Sequence, residues 1–172
     1  MIEIRNIDLP TNPRWKGKTW GQRKLQSIYK IVVHQELGEA NTLSVHNYHI
    51  SPDSHLKLGV GAPRIAYHYT IEKDGTIYEV NKLTDIVWHT AGQNLHGIGI
   101  MLVGDFDGNG HKGKSKPTEC QLDSLKDLLD HLTGKLNINI TEIYGHCDFG
   151  KPACPGDDVM NYIRKYRGSI DA

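Results

Sequence analysis

Short runs of apolar residues and longer stripes at helical spacing succeed one another along this 172-residue chain. Tyr29 to His34 contains Ile31-Val32-Val33, a β-branched run suited to a strand covered on both faces. After a polar break at Gly38 to Asn41, Leu43, His46, Asn47 and Ile50 recur at helical spacing and predict a helix over 42–50. Ser51 to Pro63 reads as a loop. Ile65 to Glu72 alternates, Lys73-Asp74-Gly75 turns, and Thr76 to Val80 returns, which predicts a hairpin. Ile98 to Val103 is a second continuous apolar run and a central strand; Asp105 to Lys116 is a Gly- and Lys-rich surface loop. Thr118 with Gln121 forms a capping-box pattern behind Pro117 and opens the clearest helix. Its expected buried stripe is Leu122, Leu125, Leu128, Leu129 and Leu132, and Gly134 is expected to end it. A last strand over 138–145 and an amphipathic helix over 157–167 complete the pattern. Residues 1–28 have no clear period and read as an irregular arm holding Trp15, Trp20 and several basic residues. The alternation predicts an α/β fold: residues 1–172 as a single domain, a mixed central β-sheet flanked by helices, with its core over about 29–167.

Composition narrows the function classes. Twenty basic and twenty acidic residues cancel, so no net field favours nucleic acid or anionic membrane, and neither partner is expected. Three cysteines are too few for a disulfide framework. No apolar stretch approaches a membrane span. The start, Met1-Ile2-Glu3-Ile4-Arg5, lacks the basic-then-apolar pattern of a signal peptide, so synthesis in the cytoplasm without one is expected.

The chemistry concentrates near the C-terminus, where His146 and Cys154 flank a Gly- and Pro-rich loop able to bring both side chains to one point. His34 ends the Ile31-Val32-Val33 run far upstream. Two imidazoles and a thiolate fill three corners of a zinc tetrahedron and leave the fourth to water, the layout of a catalytic site. Such a water ionises near neutral pH and attacks carbonyls. Cys147 competes for the thiolate role, but it adjoins His146, and neighbours on an extended segment point to opposite faces. His46 and His49 stand three apart on the expected helix without an evident third ligand, and read as surface or groove residues.

Six ordered motifs extend this reading: Ile-Val-Val-His at 31–34, Ala-Tyr-His-Tyr-Thr-Ile at 66–71, Asp-Gly-Thr-Ile-Tyr at 74–78, Trp-His-Thr-Ala-Gly at 88–92, Ile-Gly-Ile at 98–100, and His146 through Cys154-Pro155-Gly156. Together they resemble the zinc-dependent N-acetylmuramoyl-L-alanine amidases of the amidase-2 type, relatives of peptidoglycan recognition proteins and phage amidase endolysins. The resemblance implies one zinc per chain, held by His34, His146 and Cys154. It implies that the Tyr67 hydroxyl faces the metal-bound water or the developing oxyanion, that His89 lines the substrate groove, and that Asn94 helps bind the peptide or the lactyl group. Family members with this loop place a lysine two residues before the last ligand; here Pro152 stands there and Lys151 one step earlier, so Lys151 takes the catalytic assignment. Where some relatives have a glutamate in the Ile-Gly-Ile strand, this chain has Met101. Glu36 is the nearest acidic residue in sequence and reads as a solvated surface charge.

The implied activity is zinc-dependent hydrolysis of the bond between N-acetylmuramic acid and L-alanine in peptidoglycan. The chain would act on the cell wall as a phage or prophage endolysin, or on cytosolic muropeptides. The rival is a recognition module that holds muropeptide without cutting it. Non-catalytic relatives typically lose the cysteine ligand, and Cys154 is present here.

Overall fold

A computed structural model describes residues 2–107 and 114–168. Its centre is a six-stranded sheet. β1 (Ile4–Asn6) lies at one edge, followed in space by β5 (Ile77–Glu79), β4 (Tyr69–Ile71), β7 (Gly97–Leu102), β3 (Lys30–Gln35) and β8 (Ile143–Gly145). Only the β4–β5 hairpin is antiparallel within this sheet. A small separate ribbon pairs β2 (Gly21–Gln22) with β6 (Asp85–Ile86).

Strand alternation separates the two faces of the sheet. Ile31 and Val33, Tyr69 and Ile71, and Ile98, Ile100 and Leu102 share one buried core with α2 (Glu119–Leu136) and α3 (Asp157–Gly168). The intervening residues face α1 (Thr42–Ile50), where Met101 packs with Val45, Ile65 and Val80. Thr70 Oγ1 stands 2.7 Å from Thr42 Oγ1 and joins α1 to the sheet. Cover on both faces explains why β3 and β7 read as unbroken apolar runs.

Several local expectations change. The arm contributes edge strand β1, which runs parallel to β5. Helix α2 continues through Gly134 and closes at Asn137, whose left-handed conformation (φ 53°) supplies the cap. Leu122 is only half-buried, and Gln121 takes the buried place, its Nε2 donating to the Val103 carbonyl at 2.8 Å. The expected 105–116 surface loop begins with buried Asp105 and Phe106, while residues 108–113 lie outside the described set. The segment before β8 is a short 3-10 turn over Ile140–Glu142, which shortens the expected strand. Residues 65–68 are not strand, because their backbone is held largely by side chains.

Candidate metal centre

Parallel strands β3 and β8 deliver their C-terminal ends side by side, the usual position for sites in open α/β sheets. His34 lies on the α1 face near the end of β3, and His146 immediately follows β8. The loop after His146 then folds back. Cys147 N–H donates to the Cys154 carbonyl at 2.6 Å, and Cys154 N–H donates to the Lys151 carbonyl at 2.9 Å. Gln35 fastens this loop to β3, its Nε2 donating to the Ala153 carbonyl at 3.0 Å. The result brings His34, His146 and Cys154 together, with one ligand atom from each within 4.8 Å of the others. Cys154, rather than Cys147, completes the group; Cys147 packs against the hydrophobic core.

A second layer orients His34. His89 Nε2 lies 3.3 Å from the Gly97 carbonyl, an acceptor that places the proton on Nε2 and leaves Nδ1 free to accept. His34 Nε2 stands 3.2 Å from that Nδ1, and Thr90 Oγ1 lies 3.3 Å from His34 Nε2 and 2.9 Å from His89 Nδ1. His34 Nε2–H thereby donates backward, and its Nδ1 lone pair turns toward Cys154 Sγ, 3.9 Å away. An outer partner that fixes the tautomer of a ligating histidine is the arrangement metal sites favour. Glycine makes room for it, since a Cβ on Gly99 would fall 2.6 Å from His89 Cγ.

The electrostatics fit a cation. Burial holds the His34 imidazole well below its ordinary pKa, with His89 and His146 adding to the shift. His146 is lowered to about 4 by burial and by the nearby Lys151 charge. Burial pushes the Cys154 thiol up to about 12, although the Gln35 N–H, 3.4 Å from Sγ, opposes that shift. Two neutral imidazoles and a thiol that is costly to ionise alone form a donor set whose missing component is positive charge. Zinc suits this His₂Cys chemistry.

Tyr67 is half-buried with its ring 5.1 Å from His34. Burial raises its phenol pKa, and the charges of Cys154 and Glu36 push the same way, so the hydroxyl keeps its proton. Its backbone is braced from two sides. Asn81 Nδ2 donates to the Tyr67 and Ile65 carbonyls, both at 2.6 Å, while Asn81 Oδ1 accepts from Trp20 Nε1 at 2.9 Å. His46 and His49, expected as surface or groove residues, are instead 0 % and 5 % exposed. Their Nδ1 atoms accept the Ile65 and Ala66 N–H groups at 3.2 and 3.0 Å, which explains two buried imidazoles beside this segment.

The remaining expected residues are less central in position. His89, expected to line the groove, is 5 % exposed and stands against His34. Asn94 Oδ1 accepts the Thr90 N–H at 2.8 Å and so holds the loop that carries Thr90. Lys151 is exposed, yet its charge is felt by both His146 and Cys154. Glu36 is half-buried rather than solvated; burial raises its pKa against backbone N–H groups of Ala40, Gly38 and Gly104. Met101 is fully buried beside His34 in the β3–β7 register, so no carboxylate occupies that strand position.

The N-acetylmuramoyl-L-alanine amidase family, amidase-2, matches residues 24–157, which include all three candidate ligands. The chain belongs to the amidase-2 family. An endolysin of Enterobacteria phage T3 is 32% identical over 101 residues, a match covering 59% of this chain and 65% of that endolysin. Peptidoglycan-recognition protein SC2 of Drosophila simulans is 30% identical over 175 residues, covering 95% of this chain and 88% of the relative. The fold also matches N-acetylmuramoyl-L-alanine amidase LysC from Clostridium intestinale, at a TM-score of 0.74 and 22% identity over 100% of this chain and 99% of that one. Thr90, Asn81, Gln35 and Gly99 pack around or brace this candidate site, and sequence reading missed these positions as supports. Only the glycines flanking Ile98 hinted at a close approach over β7.

Proposed function

We propose that this chain is a zinc-dependent N-acetylmuramoyl-L-alanine amidase that hydrolyses the amide between the muramoyl lactyl group and L-alanine of peptidoglycan. The observation that supports this most is the convergence of His34, His146 and Cys154 beside the Tyr67 ring. Zinc, when bound, supplies a Lewis acid that polarises a carbonyl and makes water acidic near neutral pH. The chain's residues do the rest. His89 and Thr90 hold His34 in its ligating tautomer, and Asn81 fixes the backbone that presents Tyr67. The Tyr67 hydroxyl remains protonated and donates to oxygen as negative charge develops on the scissile carbonyl. Lys151 adds positive charge from the mouth of the site. The wall or its muropeptides would be the site of action; no helix among the described residues is long and apolar enough to cross a membrane.

Appearance of new N-terminal alanine on the stem peptides of purified sacculi, lost on chelation and restored by zinc, tests the reading. Binding of muropeptide without cleavage by zinc-loaded protein would replace it with the recognition function suggested by the Drosophila relative. Tyr67→Phe keeps the ring that packs near His34, so zinc content should persist while turnover falls by roughly 100-fold, the scale of losing one oxyanion donor. A wild-type rate in that variant would reduce Tyr67 to packing. Lys151→Ala should cause a smaller fall, because the side chain is exposed and its charge is screened. Its zinc content and melting temperature should match wild type, and unchanged turnover at low salt would remove Lys151 from the reaction.

A further inference from the structure

The arm has an organised surface that amide hydrolysis does not use. Residues 10–30 contain Arg14, Lys16, Lys18, Arg23, Lys24 and Lys30 and no acidic residue. Three of these cations, Arg14, Lys16 and Lys18, join Lys57 and Val60 around Trp15 to form a cavity of about 250 Å³. Among the described residues, no carboxylate lines it. The four cations are exposed, and Lys57 Nζ lies 4.7 Å from the Trp15 ring centroid.

This surface is rigidly built. Asn12 is fully buried and its Nδ2 reaches the carbonyls of Ile50, Val60 and Ala62 at 3.0, 2.8 and 2.9 Å. Its Oδ1 accepts the Arg14 N–H at 3.1 Å, which starts the short turn over Pro13–Trp15. Lys16 and Lys18 N–H groups then donate to the Pro13 and Trp15 carbonyls at 3.0 and 2.9 Å. Trp15 Nε1 donates to the Gly61 carbonyl at 3.1 Å, which fixes the indole. Gathering four like charges has an electrostatic cost, which a polyanion would relieve. Trp15 also packs edge-on against Trp88 at 5.7 Å, and Trp88 precedes His89 in the chain, which ties this surface to the segment behind His34.

We propose that this basic Trp15 cavity docks a phosphodiester-linked glycopolymer of the bacterial wall. Cations would take the phosphates, and the indole would take the apolar face of a sugar. The choice of a wall polymer rests on the amidase reading, whereas the docking itself does not use the metal. The contact would hold the chain on its insoluble substrate while the metal centre works.

The test is sedimentation with purified walls in the cold, comparing walls that retain their phosphodiester polymer with walls stripped of it by hydrofluoric acid. Wild type should bind intact walls in a salt-sensitive manner and stripped walls at least about tenfold more weakly, since each cation near an anionic surface contributes several-fold. Lys16→Gln/Lys18→Gln/Lys57→Gln should lose a similar factor on intact walls, with an unchanged melting temperature. The matching triple arginine variant should retain binding. Turnover on a soluble muramoyl tripeptide should be equal in all three proteins. Equal binding of intact walls by the glutamine variant, or of stripped walls by wild type, would overturn the proposal. Equally tight binding of duplex DNA or of anionic phospholipid vesicles would overturn the choice of polymer. Absent turnover in wild type would refute the amidase reading alone, because binding is read separately.

Discussion

Cys154→Ser is expected to contain little zinc after dialysis and to lose more than about 100-fold in turnover, since losing even an outer-shell partner costs 10–100-fold. A thiolate is the softest donor in the His34, His146 and Cys154 group, and a serine hydroxyl is a poor replacement for it. The environment sharpens the effect. The Cys154 thiol has a pKa raised to about 12 by burial, so its ionisation depends on a compensating cation. Serine is harder still to ionise there. Cys147→Ser should keep its metal, because Cys147 belongs to the hydrophobic side of the loop. Zinc per chain and turnover on a muramoyl peptide are the measurements. Full occupancy in Cys154→Ser with loss in Cys147→Ser would exchange the roles of the two cysteines. The metal-depleted variant should also melt below the zinc-loaded wild type, because binding to the native state alone adds to stability.

The candidate ligand group was legible through the ordered motifs of the amidase-2 resemblance, and each of its members lies near an element boundary that the sequence marks. Ile31-Val32-Val33 delivers His34, and the glycines and prolines after His146 announce a returning loop. Helix α2 was legible at its start, where Thr118 and Gln121 form both halves of the capping box. Its end was not, because a lone glycine is tolerated inside a helix and Asn137 supplies the left-handed closure instead. Edge strand β1 has too few residues to show a period, and its parallel pairing depends on β5, far away in sequence. His46 and His49 misled for a different reason. Polar residues at helical spacing look exposed until the acceptors for buried N–H groups are known, and those N–H groups come from the non-strand segment at Ile65 and Ala66. The layer behind His34 was hidden for the same reason: Thr90 and Gly99 acquire their roles only when the loop and β7 are stacked in space.

That same burial of imidazoles predicts a steep acid transition. His49 and His89 are lowered to about 3, mainly by burial, and His68 also lies well below its ordinary value. In the unfolded chain each should titrate near 6.5. Between roughly pH 6.5 and 4 the unfolded state therefore binds protons that the native state refuses, and stability falls as pH falls. Above about pH 6.5 both states hold neutral imidazoles and the stabilisation is fully present. Each such histidine contributes a slope of about 1.4 kcal/mol per pH unit within the window. Three together remove several kcal/mol over two units, a large part of the 5–15 kcal/mol typical of a domain. The metal-free protein should consequently unfold near pH 4–5 at room temperature, and zinc should move the transition to lower pH, because it binds the native state, where His34 and His146 stay neutral over most of this range. Urea titrations at pH 7, 6, 5 and 4.5 in the presence of chelator provide the measurement. A denaturation midpoint that stays level across this range would show that the native protein protonates these histidines, contrary to their burial.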